Sequence, residues 1–224
     1  WGISPRNREQ SFALDLLLDD SIQVVTLAGK AGTGKTLLAI AAGIKKVADD
    51  GAYTKLIVSR PIQPLGRELG FLPGEIAEKF KPWMEPVFDN LEFIMNMKFK
   101  RSRLRPEADK AKHGGQRSES PYSAVIQEFV DMNILDVQPL TYIRGRSLPH
   151  QYLVIDEAQN LTLHEVKTII TRAGEGTKVV LTGDPYQIDN PFLDINTNGL
   201  SVVAERFKDK DIAGHITLLK GERS

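Results

Sequence analysis

An unbroken run Gly29-Lys30-Ala31-Gly32-Thr33-Gly34-Lys35-Thr36, spaced G-x-x-x-x-G-K-[ST], is the feature that most narrows what this chain can fold into. Such a loop needs a buried strand before it and a helix after it, because it works by presenting backbone N–H groups and a helix N-terminus to phosphate. Both neighbours are legible. Ile22 to Leu27 is short, apolar and β-branched, as a buried parallel strand should be, and Leu37 to Val47 has the alanine and leucine of a helix. Lys35 then supplies positive charge toward the β- and γ-phosphates, and Thr36 a hydroxyl for Mg²⁺. The competing reading, a glycine-rich turn with an incidental lysine, leaves the flanking strand and helix as coincidences.

The same grammar continues along the chain. Asn7 to Asp19 reads as a helix, and Lys55 to Ser59 as a second strand. Residues 61–74, rich in Pro and Gly, read as a structured loop before a helix over roughly 75–97, with Pro82 and Pro86 interrupting it. Further strands are expected at about 136–143, Tyr152–Asp156, Lys178–Thr182 and 215–220, with a helix from Leu163 to Ala173 between the middle two. Strands alternating with helices predict an α/β fold, a mostly parallel sheet covered on both faces, with the phosphate loop at a strand's carboxyl end.

With 41% hydrophobic residues and no long apolar run, the 224 residues are expected to make one soluble domain, over 1–224, and nothing that spans a membrane. No secretory leader is visible, and a cytoplasmic location is expected. The absence of cysteine excludes disulfides and thiolate metal sites. The start at Trp1-Gly2-Ile3, without methionine, leads us to expect a piece of something longer. Net charge is zero, but residues 98–117 hold eight Lys/Arg against Glu107 and Asp109, a local charge of about +6. That basic segment, extended to 98–121, lacks periodicity and is expected to be an exposed loop or insertion.

A phosphate loop alone does not separate a kinase from a GTPase or a motor, so the second motif decides the class. An acid ending a buried apolar strand is costly unless it serves a cation, so Asp156 in Leu153-Val154-Ile155-Asp156-Glu157-Ala158-Gln159 is expected to hold the Mg²⁺ shell. Glu157 is the natural base for the attacking water. The alternative is that both acids cap the next turn. A third motif, Thr182-Gly183-Asp184-Pro185-Tyr186-Gln187, ends another strand; Gln187 could sense the γ-phosphate or water and Asp184 relay that state, although Gly-Asp-Pro by itself is only a turn signal. A small-molecule kinase is disfavoured, because paired Asp156 and Glu157 suit activation of water. The four histidines show no metal-ligand spacing.

The three motifs together are similar to those of superfamily 1 helicases. With Tyr142-Ile143-Arg144-Gly145-Arg146-Ser147 and Lys220-Gly221-Glu222-Arg223-Ser224 added, the chain resembles the PhoH family of bacterial ATPases over nearly its whole length. The Pro5-Arg6-Asn7 start and Trp83-Met84-Glu85-Pro86 resemble the branch in which a PIN ribonuclease domain precedes the PhoH domain. The resemblance implies a RecA-like P-loop fold and an ATP-dependent RNA helicase module. It implies residues 29–36 (Gly29, Lys30, Ala31, Gly32, Thr33, Gly34, Lys35 and Thr36) around ATP, and Thr36 and Asp156 for Mg²⁺. The same resemblance gives Glu157 the water and Gln187 the γ-phosphate. Gln10 is similar to the helicase glutamine that reads adenine, although one glutamine on an amphipathic helix is often plain surface.

One departure from the helicase pattern matters. Two-lobed helicases receive transition-state arginines from their second lobe, and 224 residues hold one lobe. An arginine supplied in trans raises phosphoryl-transfer rates about 10³- to 10⁵-fold, so a head-to-tail ring, a hexamer, is expected to complete each site. Arg223 is the first finger candidate, then Arg144 and Arg146; each is otherwise a solvated charge. For RNA, the basic segment (Lys98, Lys100, Arg101, Arg103, Arg105) offers a backbone-tracking surface with one aromatic, Phe99, and Arg60 in Ser59-Arg60-Pro61 resembles a helicase strand contact. The rival function is an ATP-switched ring scaffold that positions the nuclease without translocating.

Overall fold

The computed structural model describes residues 1–62, 76–102, 123–143, 145 and 147–222. Most of the Pro/Gly-rich loop and of the basic segment, with Arg103, Arg105, Arg144, Arg146 and Arg223, lie outside the described residues. Six strands, β1 (Val24–Gly29), β2 (Lys55–Arg60), β3 (Leu135–Pro139), β4 (Gln151–Ile155), β5 (Lys178–Gly183) and β6 (Ala213–Leu218), form one sheet in the order β3-β2-β4-β5-β1-β6. Every pairing is parallel. This is the RecA-like arrangement, in which β5 is inserted between the phosphate-loop strand and the acidic strand.

The sheet's side chains alternate between two cores, as the two-residue repeat of a strand requires. Val25, Leu27, Val58, Val154 and Val180 pack under α1 (Arg8–Leu18), α2 (Lys35–Ile44) and α3 (Ile76–Ser102). Val24, Ala28, Leu153, Ile155 and Leu181 pack under α5 (Leu163–Ile170) and α6 (Gly199–Arg206). Asn7 caps α1 by accepting from the Gln10 amide, and Thr162 with Glu165 forms a capping box on α5.

Two expectations need correction. The helix α3 runs through Pro82 and Pro86 and on to Ser102, so the basic segment begins as helix, not loop. Proline in a helix interior costs about 3 kcal/mol, but Met84, Val87, Leu91, Ile94 and Met95 repeat at helical spacing and are buried. At about 1.5–3 kcal/mol for each such side chain, packing wins. Two helices were not foreseen: α4 (Ser123–Asp131), and α6, whose N-cap Asn198 accepts from the Ser201 amide.

Lys178, wholly buried at the start of β5, closes the end of α1 by donating to the Leu16 and Asp19 carbonyls at 2.8 and 2.7 Å. Burial lowers its pKa to about 8 against the opposing pull of Asp20 and Asp19. Below pH 8 the ammonium is charged in both folded and unfolded chains and the burial cost is fully present; between pH 8 and about 10.5 the folded chain loses its proton first. Stability is therefore expected to rise over that window, by on the order of 3 kcal/mol from this group. Denaturant unfolding at pH 7.5 and 10 should show the rise in the wild type and not in Lys178→Met.

Candidate active site

The strand order brings three chain segments to one edge of the sheet. Register pairs Ala28 with Gly183 and Ile155 with Leu181, so the phosphate loop, Asp156 and Thr182 emerge side by side at the carboxyl ends of β1, β4 and β5. Gly34 caps α2 at φ +89°, a left-handed conformation that glycine adopts without strain, and aims the helix N-terminus into the loop.

Lys35 is buried, and its ammonium donates to the carbonyls of Gly29 and Lys30 at 2.6 and 2.9 Å. Burial lowers its pKa, while Asp156, Asp184 and Glu157 pull in the other direction. The carboxylate of Asp156 accepts from two hydroxyls on one oxygen, Thr36 Oγ1 and Thr182 Oγ1, both at 2.7 Å. Glu157 follows with φ +56° and ψ +37°. A non-glycine residue in that region is strained by roughly 1–2 kcal/mol, which is the kind of cost concentrated at functional sites.

Hard oxygen donors with no cluster of three or more His, Asp or Glu among the described residues fit Mg²⁺, which keeps waters and takes phosphate oxygens rather than an all-protein cage. Thr36 and Asp156 are the residues that would hold it. Bound there, the ion would supply charge neutralisation at the β- and γ-phosphates. The loop, Asp156 and Glu157 line a cavity of about 730 Å³ that extends past Gln10 and the Ile3–Arg6 segment to Phe93 on α3. That volume suits a nucleotide.

The other candidates fall in different places. Gln10 is buried beside the loop, but its amide is already engaged: Oε1 accepts from the Arg6 N–H at 2.8 Å and Nε2 donates to the Thr33 carbonyl at 3.0 Å. It is no plain surface residue, and it ties the N-terminal segment to the phosphate loop. Gln187 is exposed, and its link to the site is its backbone carbonyl. Lys98 lies over the Trp1 ring, 3.3 Å from its centroid, and Lys100 and Arg101 are on the last turn of α3, their side chains outside the described set.

Arg60, singled out for its resemblance to a helicase strand contact, is largely buried. It ends β2 next to β4 and turns into the cavity, with Nε 3.5 Å from Asp156 Oδ2 and Nη2 3.2 Å from Glu157 Oε1. A carboxylate pair at the end of a neighbouring parallel strand is a stronger draw for a guanidinium than solvent.

Gln159 was quoted within its motif but given no role. It is completely buried, and Nε2 donates to Glu157 Oε2 at 2.5 Å and to the Gln187 carbonyl at 2.9 Å, while Oε1 accepts from the Asp184 N–H at 3.1 Å. One amide therefore fixes Glu157 and joins it to the loop after β5. Glu222 was overlooked too: its N–H donates to the Gly32 carbonyl and its carboxylate accepts from Asn7, which folds the C-terminal segment onto the phosphate loop. Replacing Gln159 by Ala is expected to leave the Asp184 N–H and the Gln187 carbonyl without their side-chain partner, costing about 1–3 kcal/mol in denaturant unfolding.

Fold and site together define a RecA-like P-loop NTPase. A family model described as "PhoH-like protein" matches residues 2–222, and the chain belongs to the PhoH family. It is 54% identical over 224 residues to Protein PhoH2 of Bacillus subtilis (strain 168), covering 100% of this chain and 46% of that protein. Protein PhoH2 of Mycolicibacterium smegmatis is 39% identical over 225 residues, covering 100% of this chain and 45% of its own. The chain thus spans about half the length of the curated relatives it matches. Among solved structures, Pif1 helicase from Candida albicans aligns with 97% of this chain and 40% of its own at 16% identity and a TM-score of 0.42. Among the described residues no helix is long and apolar enough to cross a membrane.

Proposed function

We propose that this chain hydrolyses ATP with Mg²⁺ and couples hydrolysis to binding and unwinding RNA, as the motor module of a helicase. The observation that carries the ATPase half is the Thr36 hydroxyl donating to Asp156 at 2.7 Å, with Lys35 and Glu157 in the same cavity. In this reading Lys35 exchanges its two loop carbonyls for phosphate oxygens, Thr36 and Asp156 hold the cation, and Glu157 accepts the proton of the attacking water. Gln159 keeps the Glu157 carboxylate in place and carries its position to the Gly183–Gln187 segment.

The RNA half is supported by the resemblance to the PhoH and superfamily 1 motifs. A PIN-type ribonuclease domain elsewhere in a longer chain, and head-to-tail assembly of copies into a ring, are proposed with it. The experiment is ATP hydrolysis by the purified chain with and without single-stranded RNA, beside a sizing run with nucleotide. Turnover raised severalfold by RNA supports the motor. Turnover indifferent to RNA from a ring-sized species turns the reading to a switched scaffold, and no turnover removes the ATPase.

A further inference from the structure

The sequence leaves the site short of an arginine, and the structure already holds one there. Arg60 is the last residue of β2, and the pairing of Ser59 with Ile155 sets it alongside Asp156. Its guanidinium is anchored on all three nitrogens: Nε and Nη2 face Asp156 and Glu157, and Nη1 donates to the Trp83 carbonyl on α3 at 3.2 Å. The side chain is only 19% exposed. Lys35 meanwhile donates to the Gly29 and Lys30 carbonyls, whereas Arg60 makes a direct ion pair with Glu157.

We propose that Arg60 acts in cis as the arginine of this chain's own ATPase site: it releases Asp156 when nucleotide enters and meets the γ-phosphate at the transition state. The inference rests on the ATPase reading above. Three features of the geometry support it. The Asp156 contact, at 3.5 Å, is longer than a hydrogen bond and is easily given up, whereas the 3.2 Å contact to Glu157 keeps the guanidinium beside the position of the attacking water. The tie to α3 fixes the plane of the guanidinium, leaving its fork directed at the acidic edge of the cavity rather than at solvent. A planar fork can hold Glu157 with one nitrogen and an equatorial phosphate oxygen with another, which a lysine cannot. Assembly of copies then serves some purpose other than supplying this charge.

The test compares wild type, Arg60→Ala and Arg60→Lys in the purified chain, measuring steady-state turnover, ADP binding by calorimetry, and retention of ADP with aluminium fluoride as a transition-state mimic. Thermal melting checks that each variant is folded. Arg60→Ala is expected to lose about 10³-fold in kcat, in line with arginine fingers, while KM and ADP affinity stay within about threefold and the gain in retention from aluminium fluoride disappears. Arg60→Lys is expected to melt like wild type and recover little turnover. Wild-type turnover per chain is expected to hold on dilution to monomer. The inference is overturned by Arg60→Ala turning over within tenfold of wild type or faster, by ADP affinity falling in step with kcat, or by wild-type turnover vanishing on dilution. A wild type that binds nucleotide and never hydrolyses it removes the ATPase reading itself, a different failure.

Discussion

Replacing Glu157 by Gln is expected to cut ATP turnover by about 10²- to 10⁴-fold, the range for loss of a positioned general base, while nucleotide affinity changes by less than about threefold. The substitution keeps the shape of the side chain. The amide oxygen can still accept from Gln159 Nε2, so the link to the Gln187 carbonyl survives, and the strained backbone at φ +56° is as acceptable to glutamine as to glutamate. What disappears is the lone pair that takes the proton of water and the charge that pairs with Arg60 at 3.2 Å. Single-turnover hydrolysis beside equilibrium binding of ATP separates the two effects. Turnover within tenfold of wild type would remove Glu157 from the base role and leave its strain and its two side-chain contacts without a chemical reason.

The division between what the chain declares and what it conceals follows the range of the interactions. Buried parallel strands declare themselves, because a segment such as Val24–Gly29, buried along its whole length, is filled by apolar and small residues. The phosphate loop declares itself because its glycines and Lys35 are local requirements. The continuation of α3 through Pro82 and Pro86 does not, since local propensity argues against it and only the burial of Val87, Leu91, Ile94 and Met95 against distant elements decides. The helix α6 is concealed for the opposite reason: with Leu200 and Val203 as its buried anchors, its periodicity is faint, and Asn198 ahead of Ser201 was the available signal. Within the site, Asp156 and Glu157 were legible from the strand they end. Arg60 and Gln159 were not, because their roles depend on which strand neighbours β4 and on a buried amide reaching across to another loop. Glu222 depends on the chain closing over 190 residues back onto Gly32.

Changing Asp156 to Asn is expected to remove most of the Mg²⁺ dependence of ATP binding while leaving the fold in place. The asparagine Oδ1 can accept from Thr36 and Thr182 as the carboxylate does, so the two 2.7 Å contacts need not break, and Arg60 keeps its pair with Glu157. The charge, however, is gone, and its sign matters in two opposed ways. Without Mg²⁺, Asp156 repels a triphosphate, so the variant should bind ATP at least as tightly as wild type. With Mg²⁺, the same carboxylate is, in the proposed reading, one of two side chains that would hold the cation, and a loss of at least about 10- to 100-fold in metal affinity, typical of removing a ligand's hydrogen-bonding partner, is expected. By linkage, the improvement in ATP affinity produced by Mg²⁺ shrinks by the factor by which the variant's Mg²⁺ affinity falls more with ATP bound than without it. Calorimetric titration of wild type and variant with ATP, in Mg²⁺ and in chelator, closes the cycle. An undiminished Mg²⁺ effect in Asp156→Asn would mean that the cation is held by Thr36 and phosphate alone, and that Asp156 is there to neutralise Lys35 and Arg60.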